Sequence, residues 1–185
     1  FVFVFVGRLV GDKGINELVQ AFTKMSKTHT NSKLLLLGPL ETDLDPLLPN
    51  TLNEINQNIA IMYLGYQHDV RPYFAVSDVL VFPSYREGFP NVVMQAGAMG
   101  LPSIVTDING CNEIIKSGVN GIIIPVKDVQ SINNAMEKLV NDRSYYDNLQ
   151  DKSRQMIVTR YEQNQLWEAI LNEYQSLLKN QNKIL

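Results

Sequence analysis

Phe1–Gly14 reads F-V-F-V-F-V-G-R-L-V-G-D-K-G, and the fold follows from it. Six apolar residues, Phe1–Val6, form a continuous run without alternation, as a strand buried on both faces requires. A loop with glycines at 7, 11 and 14 follows at once. Ile15, Leu18, Val19, Phe22 and Met25 then recur at helical spacing. Strand, glycine-punctuated loop and amphipathic helix make the first half of a βαβ unit.

The same alternation continues outward. Leu34–Leu37 is a second strand, stopped by Gly38-Pro39. A polar loop holding Pro46 and Pro49 leads into a short helix over Leu52–Gln57. Ile59–Leu64 is a third strand, and a short helix spans Val70–Val76. Val79–Phe82 is the fourth strand, Asn91–Met99 a helix, Ser103–Thr106 the fifth strand. Asn112–Lys116 is a brief helix and Gly121–Pro125 the sixth strand. The remainder reads as helices over Ile132–Asn141, Tyr145–Thr159 and Gln163–Leu178. The pattern predicts an α/β fold: a doubly wound, Rossmann-like parallel six-stranded sheet with helices on both faces. Residues 1–178 form one domain and 179–185 a polar, fraying tail.

Composition limits the function classes. The chain has 185 residues, an ordinary apolar share of 45% and a net charge of -3, so it carries no global basic field for nucleic acid. Its apolar runs are far too short to span a bilayer. Phe1–Val6 lacks the basic leader of a secretory signal. One cysteine, Cys111, excludes an intrachain disulfide and suits a reducing compartment. No Met opens the chain and its first residues already read as a core strand. The expectation is an excised piece whose missing part lies on the N-terminal side.

In open parallel sheets ligands sit beyond the carboxyl ends of the strands, so the loops after strands one, three, four and five are the ones to search. After strand one, Gly7, Gly11 and Gly14 allow close backbone approach to a ligand. Arg8 offers a planar fork of donors to phosphate oxygens and Lys13 a compact charge. Neither the P-loop order nor the G-x-G-x-x-G dinucleotide pattern is present. After strand four, Ser84–Asn91 runs S-Y-R-E-G-F-P-N into a helix. Pro90 is expected in the first helical turn. The amides of Gly88, Phe89 and Asn91 then point outward at a helix start that favours anions. Glu87 can accept hydrogen bonds from sugar hydroxyls, and Gln95 lies one turn beyond Asn91 on the same face. Taken singly, each of these residues also has a plain reading as a loop charge, a helix-terminus carboxylate or a surface amide.

Together the motifs resemble the C-terminal domain of GT-B-fold retaining glycosyltransferases of family 4. G-R-L-V-G-D-K-G is similar to that family's G-R-x-x-x-x-K-G, and E-G-F-P-N-V-V-M-Q to its E-x7-E motif. A-G-A-M-G-L-P-S-I-V-T, G-C-N-E-I-I and N-G-I-I-I-P continue the similarity in order, from strand one to strand six. The resemblance implies that Arg8 and Lys13 neutralise a departing nucleoside diphosphate without a metal ion, and that Glu87 binds the transferred sugar. It further implies donor contacts from Gly7, Gly88, Phe89, Pro90 and Asn91, and a nucleobase met by Gly65, Tyr66 and Gln67. Gln95 departs from the pattern, which has a ribose-binding glutamate there, and Gly97 stands where the family often has Met, marking a subgroup.

The activity so implied is sugar transfer from a nucleotide diphosphate sugar, a UDP-sugar, to a glycan or lipid-linked acceptor in capsule or surface polysaccharide assembly. The catalytic set is Arg8, Lys13 and Glu87; the partner is the missing N-terminal acceptor domain. No metal or other cofactor is expected. The D-L-D at Asp43–Asp45 is placed away from the ligand edge, and His29 and His68 lack companions at ligand spacing. The setting implied is cytoplasmic, with peripheral membrane association of the full-length enzyme left open. Two rivals stand beside this reading: a nucleotide-sugar epimerase of the same fold, and a non-enzymatic nucleotide-binding module. The last helix carries Leu166, Trp167, Ile170, Leu171, Tyr174 and Leu177 on one side, for the partner domain or for its own sheet.

Overall fold

The structure, a computed structural model, describes residues 1–181. Six parallel strands form one sheet in the order β3-β2-β1-β4-β5-β6. They are β1 (Val2–Val6), β2 (Lys33–Leu37), β3 (Ile61–Gly65), β4 (Val79–Phe82), β5 (Ser103–Thr106) and β6 (Gly121–Ile124). The chain builds outward from β1 through β2 to β3, then returns to add β4, β5 and β6 on the other side. The order therefore reverses between β1 and β4, and this is where an open sheet leaves its ligand crevice.

The connecting helices are α1 (Ile15–Ser26), α2 (Pro49–Gln57), α3 (Arg71–Ala75), α4 (Asn91–Ala98) and α5 (Cys111–Ile114). Right-handed crossovers put α1 and α2 on one face and α3, α4 and α5 on the other. Two further helices close the layers: α6 (Val129–Asn141) packs on α1, and α7 (Arg143–Tyr161) on α4. Asp128 and Asp142 start these two helices by accepting from the amides of Ser131 and Tyr145, at 3.0 and 2.9 Å.

Cover on both faces explains the unbroken apolar strands: Phe3, Val4, Phe5, every residue of β4 and every residue of β5 are buried. Ile15, Leu18, Val19, Phe22 and Met25, the helical stripe of α1, are buried against them. On the opposite face α4 and α7 approach closely. A Cβ on Gly97 would lie 2.6 Å from Ile157 Cγ1, so glycine at this position is what lets α7 sit down on α4.

Several expectations are revised: β3 starts at Ile61 rather than Ile59, and α2 at Pro49 rather than Leu52. Pro90 is the N-cap residue of α4, with an extended ψ of 104°, and the first helical position is Asn91. The last helix, α8 (Gln163–Gln181), runs beyond Leu178 into the expected polar tail, because Lys179, Asn180 and Gln181 contain no helix breaker; residues 182–185 lie outside the described residues. From Gln163 to Lys179 every residue of α8 is exposed, the apolar stripe included. Of the two surfaces that stripe was expected to meet, its own sheet is excluded.

Candidate donor-binding site

The loops after β1 and β4 are fastened together at the switch point. Tyr85 N–H donates to the Asp12 carbonyl at 2.8 Å. The Arg86 guanidinium reaches the Asp12 carboxylate at 3.2 Å. Between them the Lys13 ammonium pairs with the Glu87 carboxylate. These side chains are 15% and 17% exposed, which shields the pair from solvent screening far more than a surface pair. Ser84 Oγ donates to the same Glu87 oxygen at 2.8 Å. Ser84 is in turn held where it is by Thr106, whose hydroxyl donates to the Ser84 carbonyl. The Glu87 carboxylate is thus fixed by an adjacent cation, an adjacent hydroxyl and the end of β5.

Cys111 lies buried behind this pair. Burial, and secondarily the negative charge of Glu87, push its thiol up to about 12, so it stays protonated and inert. It serves as a small apolar residue at the start of α5.

Arg8 stands at the same edge, more exposed, and pairs with Glu41 at 2.9 Å. Glu41 belongs to the loop after β2, and that loop folds over the loop after β1 more completely than expected. Asp45 accepts from the Asp12 amide, and the Gly11 amide donates to the Asp45 carbonyl at 3.0 Å. The placement of Asp43–Asp45 away from the ligand edge is therefore wrong. β2 neighbours β1, so its following loop lies against the loop after β1, and Asp45 is used to brace it. No group of three His, Cys, Asp or Glu side chains suited to a metal occurs among the described residues.

The start of α4 opens on the same crevice. Among the described residues the amides of Gly88, Phe89 and Asn91 donate to no protein group, and Gly88, Phe89 and Asn91 are exposed. Three unused donors at a helix N-terminus favour anionic or hydroxyl oxygens. Further along α4, Gln95 is exposed and faces a cavity of about 470 Å³ shared with His68, Val70, Phe74 and Met99. That cavity continues the loop after β3. There Tyr66 is exposed, and Gln67 turns its side chain back to donate to the Leu64 carbonyl at 2.7 Å. The Gly65 carbonyl accepts from the Gly38 amide at 2.8 Å, so it and the Gln67 side chain are both occupied. A larger groove of about 630 Å³, between α1 and α2, is lined by Glu17, Thr23, Thr51 and Glu54 and contains none of these residues.

Sequence reading thus placed Gly7, Arg8, Lys13, Glu87, Gly88, Phe89, Pro90 and Asn91 at one edge. Gln95 lines the neighbouring cavity together with His68, whereas Gly65, Tyr66 and Gln67 are not in its lining. Sequence reading missed Ser84, Asp12, Glu41 and Asp45. Ser84 carries a local signal, a hydroxyl immediately after Pro83 at a strand end. Glu41 and Asp45 carry none, since their roles come from the pairing of β1 with β2.

The switch-point crevice thus brings together two cations, a fixed carboxylate and free helix-start amides, groups suited to anionic and hydroxyl oxygens. Residues 1–156 match the glycosyl transferases group 1 family, and the chain belongs to that family. It is 33% identical over 184 residues to the capsular polysaccharide biosynthesis glycosyltransferase CapM of Staphylococcus aureus, covering 97% of this chain and 47% of that protein. Among solved structures, HepE of Anabaena in complex with UDP-glucose superposes with a TM-score of 0.85 at 19% identity, over 95% of this chain and 49% of that one. The C-terminal domain of the group 1 protein LpcC of Francisella tularensis superposes at 0.77 and 20% identity, over 88% and 87%. The fold is that of a GT-B glycosyltransferase C-terminal domain. The chain spans about half the length of the curated relatives it matches.

Proposed function

We propose that this domain binds a nucleotide diphosphate sugar, with UDP as the nucleotide, and supplies the donor half of a retaining glycosyltransferase in polysaccharide assembly. One observation carries the reading: Lys13, Glu87 and the free amides of α4 meet at the β1–β4 switch point. The diphosphate lies along Arg8 and Lys13, the sugar against Glu87 and the Gly88–Asn91 amides, and the nucleoside toward Gln95 and Gly65–Gln67. The complex of HepE with UDP-glucose and the role of CapM in capsule synthesis support this choice of donor and setting.

As the bond from the anomeric carbon to the diphosphate breaks, negative charge grows on the leaving oxygens. Arg8 and Lys13 stabilise that charge more in the transition state than in the bound donor, which is what lowers the barrier. On this reading no metal ion is needed. Gln95 in place of a carboxylate keeps one acceptor for a ribose hydroxyl and gives up the charge-assisted strength of the second. The acceptor, and the closure that excludes water, belong to the proposed N-terminal domain. The apolar stripe of α8 is its proposed docking face. The 185-residue chain is accordingly expected to bind donor without efficient transfer.

Calorimetric titration of the folded chain with UDP, UDP-glucose, GDP and ADP tests this, with uridine diphosphates expected to bind best. A folded chain that binds none of the four would sink the proposal.

A further inference from the structure

The sugar-binding loop is gripped from behind by the end of α7. The Phe89 ring meets the Tyr161 ring edge-on, centroids 5.6 Å apart and planes at 67°. Tyr161 is the last residue of α7 and only partly exposed. Its hydroxyl donates to the Glu113 carbonyl at 3.2 Å. Beside it the Arg160 guanidinium lies 4.8 Å from the Tyr161 ring centroid and donates to the carbonyls of Glu113 and Ile114. Those carbonyls end the four-residue helix α5, where a cation is favoured.

The other end of α5 presses on the same loop. Gly110, which precedes α5, has a φ of +75°, and a Cβ there would lie 2.3 Å from the Gly88 carbonyl and 3.0 Å from Phe89 Cα. Its amide donates to the Glu113 side chain at 3.2 Å. Arg160 and Tyr161 thus hold α5, α5 holds Gly110 under Gly88, and Tyr161 holds the ring of Phe89 directly. Both lines of contact end on the segment whose amides would carry the sugar. Only Glu162 separates Tyr161 from α8, and its carboxylate accepts from the Gln165 amide at 3.1 Å to start that helix.

We propose that Tyr161, steadied by Arg160, is a positioning residue for the Gly88–Asn91 loop and links the geometry of that loop to the first turn of α8. This rests on the donor-binding reading above. Tyr161 touches no ligand; it fixes where the amides of Phe89 and Asn91 stand. Its loss therefore affects the sugar end of the donor more than the nucleotide end. By reciprocity, filling the sugar site steadies the first turn of α8.

Titration of the wild-type chain and its variants with UDP and with UDP-glucose reads the first half. Tyr161→Ala is expected to weaken UDP-glucose about 3- to 10-fold while leaving UDP within about two-fold, and Tyr161→Phe, which keeps the ring, restores most of the loss. Simple destabilisation lowers both affinities together and leaves their ratio alone. An unchanged ratio in Tyr161→Ala overturns the assignment, as does a Tyr161→Phe variant no better than Ala; Tyr161→Leu is the substitute if Ala does not fold. Hydrogen exchange of Gln163–Leu166 reads the second half, expected to slow when UDP-glucose is added to wild type and not to Tyr161→Ala. No slowing in wild type overturns the link to α8. Should wild type bind neither ligand, it is the donor-binding reading that fails first, and this one with it.

Discussion

Lys13 and Glu87 neutralise one another, so on the donor-binding reading an incoming diphosphate meets charges that are already partnered. Arg8 is similarly occupied, but its pairing with Glu41 is solvent-exposed and worth only about 0–1 kcal/mol, easily given up to a diphosphate. Each charge-assisted contact to the diphosphate contributes about 1.5–3 kcal/mol. Replacing Arg8 and Lys13 together by Ala should therefore weaken UDP by at least about 100-fold and uridine only slightly, as measured by calorimetry. Equal losses for the two ligands would mean that the cations do not see the phosphates. Cys111 gives a test of burial. Thiol reagents at pH 8 should label it only after unfolding. The unfolded thiol loses its proton near 9.0, whereas the folded one keeps it to about 12. The native state thus binds the extra proton, and stability should fall as pH rises from about 9 toward 12, with Cys111→Ala removing that part of the slope in alkaline melts.

At the level of elements, β4 and β5 were legible to the residue. Val79–Phe82 is an unbroken apolar run and Ile104–Thr106, after Ser103, a β-branched one, with Pro83 and Pro102 standing against the two strands. α7 was read two residues late at its start and two early at its end, because Arg143, Ser144 and Arg160 carry no apolar period; the Asp142 cap and the packing of Tyr161 set those ends. The path of the loop after β2 was misread. Nothing local to Asp43–Asp45 says that β2 pairs with β1, and only that pairing brings Asp45 onto the Gly11–Asp12 backbone. The departure at Gly97 acquires a cause from packing. Its missing side chain matches the close seat of α7, and Gly97→Met forces Ile157 away. The substitution should cost about 1–3 kcal/mol, read as a lowered Tm with the loops after β1 and β4 still able to bind UDP.

For the molecule as a whole, the unpacked stripe of α8 sets it apart from every other helix of the described residues. Trp167, the one tryptophan of the chain, is 57% exposed there, among Leu166, Ile170, Leu171 and Tyr174. A contiguous apolar surface of this kind marks an interaction site. Trp167 fluorescence should be red-shifted and readily quenched by iodide in this chain, and blue-shifted and protected in a full-length enzyme that contains the proposed acceptor domain. Equal quenching in the two would remove the acceptor domain as the cover for α8. The internal pairing of Arg8 with Glu41 and of Lys13 with Glu87 has a consequence for competing anions. A small inorganic anion that engages both cations has to displace the shielded Glu87 as well as the loosely held Glu41, and gains little beyond that exchange. On the donor-binding reading a molecule with additional handles, a base and a sugar, offsets that cost, and inorganic phosphate is expected to compete poorly for the crevice.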